Sequence, residues 1–355
     1  MTRIYIRPIG LLWGEDAESA ATNGTAGWLA GGPAAFGMAE LIVRDGRTIE
    51  SEQRSYRDLL ASRDRLIAER LALITRPRAP LPGREVQHPA VMGIVNVTPD
   101  SFSDGGEHIG PEDAVAHGAR LAGEGAAIID IGGESTRPGS EGISIEEERN
   151  RVIGVVAELS RRGHAVSIDT RKPEIMEEAA KAGAVLINDV TALRFDARSR
   201  EVAAALKLPV CLMHARGEPR TMQVNPAYDN VVLDVFDELE SFIARAEASG
   251  LPRQVQLADP GLGFGKTYRH NLEILRCLSL YHGLGVALVV GASRKAFIGA
   301  LTEEKTAKHR VFGSIGAAIA AAAQGAQLVR VHDVKASVQA LAVWRSTIEP
   351  RLSGL

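Results

Sequence analysis

The sequence predicts a (β/α)8 TIM barrel with a small N-terminal appended segment, on three observations. Eight short apolar runs recur through residues 91–333, and nearly all stop on a polar or charged residue: VMGIVNVT, AAIIDIGGE, AVSIDT, VLINDV, PVCLMH, VQLADPG, ALVVGASRK and LVRVHD. Amphipathic stretches alternate with them at 111–124, 145–162, 173–182, 228–249, 270–281 and 307–324. The 355 residues also exceed the roughly 200–250 that one barrel commonly uses, which leaves a remainder ahead of the first run. Alternation of strand and helix implies right-handed crossovers and a parallel sheet. An open doubly wound sheet would alternate in the same way, but eight units favour closure.

The remainder is expected to occupy residues 1–88, with the barrel over 89–355. Within it, RIYIRPIGLL and AELIVRD alternate loosely enough to be strands, separated by the Gly- and Ala-rich loop 21–37. Residues 55–75 read as a helix, because Leu59, Leu60, Leu66, Ile67, Leu71 and Ile74 recur near helical spacing. PRAPLPGREVQHP at 77–89 carries four prolines and a glycine, so it reads as a linker. The glycines of LAGGPAAFG lack the strand–GxxxxGK–helix context of a phosphate cradle, and a plain loop is expected. No catalytic cluster is visible in this segment; its expected job is packing against the barrel or a second subunit.

Composition narrows the function classes. A net charge of −3 gives no basic field for nucleic acid or an anionic membrane, although a few local cations can still hold a small anion. The first residues meet Glu15 and Asp16 before any long apolar stretch, and no membrane-length apolar run follows, so a soluble cytoplasmic protein is expected. Cys211 and Cys277 have no metal-type spacing and read as buried free thiols.

The strand ends carry the chemistry. Asn96 closes the first run, and the polar loop VTPDSFSDGG that follows is long enough to fold over a ligand, with Phe102 as an apolar contact. GGESTRPGS follows the second run; Arg137 there can pair with a carboxylate or phosphate, and Pro138 stiffens its approach. Asp169, Asn188 and Asp259 end three separate strands at one mouth, where acceptors suit a flat heterocycle bearing several N–H donors. Each Asp taken alone reads equally as a helix N-cap. DPGLGFGKT lacks Walker spacing, but its glycines allow close approach to a ligand, and Phe264 can line a pocket. GASRKAFIG supplies Ser293, Arg294 and Lys295 where barrels often bind anions, and RVHD places Arg330 and His332 on one strand face. His214 reads as a satisfied strand-end histidine.

With these residues in hand, the chain resembles the dihydropteroate synthase family over about residues 91–335. The ordered set MGIVNVTPDSFSDGG, IDIGGESTRPG, SIDTRKPE, INDV, LMHARGEP, DPGLGFGKT, SRKAFIG and RVHD carries the resemblance. It implies a transferase of folate biosynthesis that condenses (7,8-dihydropterin-6-yl)methyl diphosphate with p-aminobenzoate, giving 7,8-dihydropteroate and diphosphate with Mg2+. Carried over by motif, Asp169, Asn188, Met213, Asp259, Lys295 and Arg330 are implied to bind the pterin. Phe102, Thr136, Arg137, Pro138, Phe264 and Ser293 would surround p-aminobenzoate, the position sulfonamides mimic. Asn96, Asp104, Arg137, Lys295, Arg330 and His332 are the implied catalytic set, with Asn96 contacting the metal. The resemblance also implies a homodimer, which the small-residue stretch GSIGAAIAAAAQGA at 313–326 would permit.

Three departures from the common pattern, Ala215, Arg216 and Ala296, remove none of these residues, and no Phe-Gly insertion lengthens the 135–140 loop, so sulfonamide sensitivity is expected. Two rivals remain at this point. A pterin-dependent methyltransferase module would share the acceptors but has no need of STRPG, SRK or RVHD. A silent pterin-binding paralogue would differ only in failing to release diphosphate.

Overall fold

The computed structural model describes residues 2–83, 89–98, 110–135, 140, 142–217 and 222–348. The eight apolar runs form β5 (Ala90–Asn96), β6 (Ile128–Gly132), β7 (Val166–Asp169), β8 (Leu186–Asp189), β9 (Val210–Met213), β10 (Gln256–Asp259), β11 (Ala287–Val290) and β12 (Leu328–Val331). They pair in parallel around a closed barrel in chain order, with β12 returning to β5. Because both faces of a barrel strand are covered, nearly every residue in them is buried. Outward residues such as Val95, Ile131, Ile168, Leu212 and Val331 join the helices in the largest core. Inward residues near the strand starts, Met92, Ile128, Leu186, Cys211, Leu257 and Leu328, form a second, separate core inside the barrel.

The amphipathic stretches become α4 (Pro111–Gly123), α5 (Ile145–Arg161), α6 (Pro173–Lys181), α8 (Val231–Ala248), α9 (Tyr268–Arg276) and α11 (Val311–Ala323). The 270–281 stretch is divided: α9 stops at Arg276, and a 3-10 helix covers Leu278–Leu284. Three more helices lie where no amphipathic stretch was read, α7 (Ser199–Leu206), α10 (Ala296–Thr302) and α12 (Val334–Ile348).

Ahead of the barrel stands an antiparallel sheet. β1 (Arg3–Leu12) and β3 (Ala35–Asp45) pair along most of their length, and β2 (Gly27–Trp28) and β4 (Thr48–Ser55) both pair with β3. α1 (Gly14–Thr22) runs up to the start of the expected loop 21–37, which itself holds β2 and the first residues of β3, and the single expected helix is two, α2 (Tyr56–Leu60) and α3 (Arg65–Thr75). Ile6, Phe36, Leu41, Leu59, Leu71 and Ile74 make its own core. The unit packs on α8 and the Leu278–Leu284 helix: Tyr5 donates to Asp237 at 2.9 Å, Arg44 to Asp234 at 2.6 Å, and Arg70 to Glu240 at 2.8 Å and the Gly283 carbonyl at 2.7 Å.

The Pro-rich linker has a packing role as well. Leu81 closes the apolar plug at the strand starts, and a Cβ on Gly83, at φ +120°, would stand 2.9 Å from the Ala127 carbonyl. Only glycine passes there without displacing the backbone. Cys211 and Cys277 are free and buried, and no helix among the described residues is long and apolar enough to cross a membrane.

Candidate active site

Strand register sets the mouth. Asn96 stands beside Gly132, Gly132 beside Asp169 and Asp169 beside Asn188, while Met213 stands beside Asp259. Arg330 on β12 completes the ring next to β5. Side chains two apart on a strand share a face, so Asp130, Asn188, Asp259 and Arg330 lie directly above Ile128, Leu186, Leu257 and Leu328 of the inner plug. Phe102, Asp104, Thr136, Arg137 and Pro138, with the loop expected to fold over the ligand, lie outside the described residues.

Arg330 sits between two carboxylates. Its Nε donates to Asp130 Oδ2 at 2.6 Å and a terminal nitrogen donates to Asp169 Oδ2 at 2.7 Å. Asn188 Nδ2 donates to the same Asp130 oxygen at 3.1 Å. Burial pushes the Asp169 carboxyl up to about 7 against the pull of Arg330, whose own pKa is raised, its burial outweighed by the two carboxylates. Asp130 is fully buried, and its Oδ1 has no hydrogen-bond partner among the described residues. A buried carboxylate oxygen without a donor is costly, which marks it as an acceptor for something that enters the barrel mouth. Sequence reading passed over Asp130 as part of an apolar run. The available signal was a lone carboxylate two residues beyond Ile128, on the inward face.

The β10–β11 side is basic. Lys295 Nζ donates to the Leu262 carbonyl and lies 4.6 Å from the centre of the Phe264 ring. Burial lowers its pKa to about 8 against the attraction of Asp259. Asp259 Oδ1 accepts from the Gly261 N–H at 2.7 Å, and burial raises its carboxyl. Gly261, at φ +64°, is required: a Cβ there would lie 1.8 Å from the His214 carbonyl. Ser293 Oγ accepts from the His332 N–H at 3.2 Å and is 3.1 Å from His332 Nδ1, so these two expected residues meet.

Arg294 departs from the expectation that it joins the anion pocket. It forms a two-point ion pair with Asp333, at 3.0 and 2.6 Å, from a turn in which its own backbone is left-handed at φ +58°, whereas Lys295 reaches the Leu262 carbonyl and Ser293 reaches His332. His214 is fully buried and bonded, as read from the sequence. A second buried network was not anticipated: Lys172 Nζ bridges Glu134, at 2.8 Å, and Glu148, while Thr170 donates to Glu148 at 2.6 Å. It ties the chain leaving β6 to α5 and to the chain leaving β7.

Among the described residues no three His, Cys, Asp or Glu side chains gather to hold a metal. A methyl placed on Gly132 would lie 3.6 Å from Asp169 Oδ2 and 3.8 Å from Asn96 Oδ1, so both oxygens border one space. A single amide oxygen suits Mg2+ that keeps its waters and is held chiefly by phosphate oxygens. The donor set fits an ion arriving with a diphosphate rather than a caged one.

Residues 92–332 match the family model described as pterin binding enzyme. The chain is 47% identical over 268 residues to dihydropteroate synthase of Escherichia coli (strain K12), covering 75% of this chain and 94% of that protein. Among solved structures, the Yersinia pestis dihydropteroate synthase in a sulfonamide drug complex aligns with a TM-score of 0.72 at 45% identity, over 75% of this chain and 98% of that one. A Xanthomonas albilineans dihydropteroate synthase complex with 7,8-dihydropteroate aligns at 0.66 and 47% identity, over 73% and 93%. The family match begins at residue 92, so the sheet and helices of residues 2–83 precede it.

Proposed function

This chain belongs to the dihydropteroate synthase family of pterin-binding enzymes, and from that premise we propose how its own residues perform the condensation. The single observation that carries the reading is the polar ring over an apolar plug, in which Asp130 keeps an unpartnered oxygen beside Arg330, Asp169 and Asn188. A dihydropterin ring edge brings several N–H donors, and Asp130, Asp169, Asn188 and Asp259 are acceptors for them. Lys295 donates to the ring oxygen, and Met213 packs on its face. Arg330, already shared between carboxylates, is released in part when ring N–H groups take over those acceptors, which lets its guanidinium stack on the ring and attract the diphosphate with His332.

Chemically, the aniline nitrogen of p-aminobenzoate forms a bond to the pterin methylene carbon as the carbon–oxygen bond to diphosphate breaks, and the nitrogen then loses a proton to solvent. The residues supply charge for the departing group and acceptors for positive charge on the ring; no strong general base is required. Asn96 would contact Mg2+ carried by the diphosphate, and the ion supplies further charge neutralisation when bound. Phe264 and Ser293 border the p-aminobenzoate side, with Phe102, Asp104, Thr136, Arg137 and Pro138 completing it in this reading. Sulfonamides are then competitors of p-aminobenzoate. A cytoplasmic site of action agrees with two free buried thiols.

Assembly as a homodimer is part of the same reading. α11 is apolar around most of its circumference, Phe312 on it is 86% exposed, and Leu301 of the adjoining α10 is 59% exposed. An apolar helix face of this kind is suited to burial against a second copy.

The test is to mix the full chain with dihydropterin diphosphate and p-aminobenzoate in Mg2+. Diphosphate release that requires both substrates and yields 7,8-dihydropteroate is expected; no release, or release without incorporation of p-aminobenzoate, overturns the reading.

A further inference from the structure

The chain leaving β10 holds a lysine that none of the proposed binding contacts uses. Lys266 is only 1% exposed. Its ammonium donates to the carbonyls of Gly261 at 2.9 Å and Phe264 at 3.0 Å, and lies 2.9 Å from His214 Nδ1. No carboxylate among the described residues is hydrogen-bonded to it. A buried ammonium lacking an ion-pair partner is disfavoured by desolvation, and burial pushes its pKa well below the ordinary range. An apolar side chain would fill such a space at lower cost, so the retained polar group calls for an account.

Behind the lysine, His214 Nε2 lies 3.1 Å from Glu238 Oε2 on α8. Burial lowers the imidazole to about 4, so it is neutral near pH 7. Glu238 is an ionised acceptor, which fixes the tautomer of the neutral ring: Nε2–H donates to Glu238, and the Nδ1 lone pair is left to accept from Lys266. Arg216 holds the other Glu238 oxygen at 2.7 Å. Helix α8, itself gripped by Tyr5, Arg44 and Arg70 of the appended unit, thus reaches through carboxylate, imidazole and ammonium to two backbone carbonyls.

The backbone so fastened is the one that orients two mouth residues. The Gly261 N–H donates to Asp259 Oδ1 at 2.7 Å, and the Leu262 carbonyl and the Phe264 ring hold the Lys295 ammonium. We propose that Lys266, oriented by the Glu238–His214 pair, is a positioning residue that presets Asp259 and Lys295 for the pterin ring. The proposal rests on the reading of Asp259 and Lys295 as pterin contacts.

The experiment is calorimetric binding of dihydropterin diphosphate to the full chain without p-aminobenzoate, alongside thermal melting, for Lys266→Met, His214→Phe and Asp259→Asn. His214 lies among Tyr228 and Phe242, so phenylalanine suits its surroundings and serves as the second variant if Lys266→Met does not fold. Each of Lys266→Met and His214→Phe is expected to weaken pterin binding about tenfold in the folded protein, the scale of one lost buried hydrogen bond. A merely structural role would lower the melting temperature and the active fraction and leave the dissociation constant of the folded fraction unchanged. Native-like pterin affinity in a folded Lys266→Met or His214→Phe protein, with binding lost in Asp259→Asn, overturns the positioning role. Native-like affinity in Asp259→Asn overturns instead the assignment of the pterin to this residue.

Discussion

The two halves of the barrel interior are built by the same strands and differ in one step of two residues. Near the strand starts, Ile128, Leu186, Leu257 and Leu328 close the barrel with Leu81 from the linker. About 6.6 Å further along, at the rise of a strand, the same inward face carries Asp130, Asn188, Asp259 and Arg330. The lower layer is held by apolar burial, where an unpaired charge would be costly. The upper layer holds charges whose burial is compensated only in part, since Asp130 Oδ1 has no partner among the described residues and burial displaces the pKa of Asp169, Asp259 and Lys295. Stability is thus concentrated below and binding chemistry above, on strands that sequence alone marks as apolar runs ending in a polar residue.

The sharpest way to break that division is to compare Arg330→Ala with Leu328→Ala. Arg330 is read as a charge that meets the departing diphosphate, and removing one preorganised transition-state donor costs about 3–4 kcal/mol, or roughly a few hundredfold to a thousandfold in kcat/KM of the folded protein. Leu328→Ala should instead cost about 2–5 kcal/mol of folding stability through a cavity, measured by denaturant unfolding, while KM of the folded protein stays native. An Arg330→Ala enzyme with native turnover, or a Leu328→Ala enzyme that keeps its stability and loses substrate affinity, would collapse the distinction.

A smaller change probes the upper layer without touching any charge. A methyl on Gly291 would make ordinary contacts, 3.6 Å from Asp259 Oδ2, 3.8 Å from Arg330 Cβ and 3.9 Å from Lys295 Nζ. Gly291→Ala should therefore leave folding stability within about 0.5 kcal/mol and weaken pterin binding about tenfold by filling ligand space. Equal affinity in wild type and variant, measured by calorimetry, would mean the ring does not lie between these three groups.

How far this division was legible depends on what each element uses for stability. All eight barrel strands were readable, because burial on both faces demands continuous apolar runs. β4, TIESEQRS, was not: it is an exposed edge strand paired only with β3, held by ladder hydrogen bonds, with Ile49 its lone apolar side chain. α10 is too short, at seven residues, to display a period. At the mouth, residues that close a run, such as Asp169 and Asp259, stood out, whereas Asp130 inside IIDIG was hidden by its neighbours. Arg294 shows the opposite error. Its position in SRK suggested a ligand, yet its partner Asp333 lies 39 residues away, and tertiary pairing of that kind leaves no local mark. The Glu238–His214–Lys266 relay is silent for the same reason, its members coming from three separate elements.

The gentlest test uses pH. Burial lowers Lys295 to about 8. The form that donates most strongly to a ring oxygen is the ammonium, present below that value and lost as pH rises through it. If Lys295 contacts the pterin as its ammonium, the affinity falls by roughly fourfold between pH 7 and pH 8.5, the ratio of protonated fractions for a group titrating near 8. In Lys295→Arg the charge persists across this range, so the alkaline limb should vanish even where the absolute affinity is reduced. A limb unchanged by that substitution would belong to the ligand or to another group, and the upper layer would then bind through its acceptors and Arg330 without drawing on the charge of Lys295.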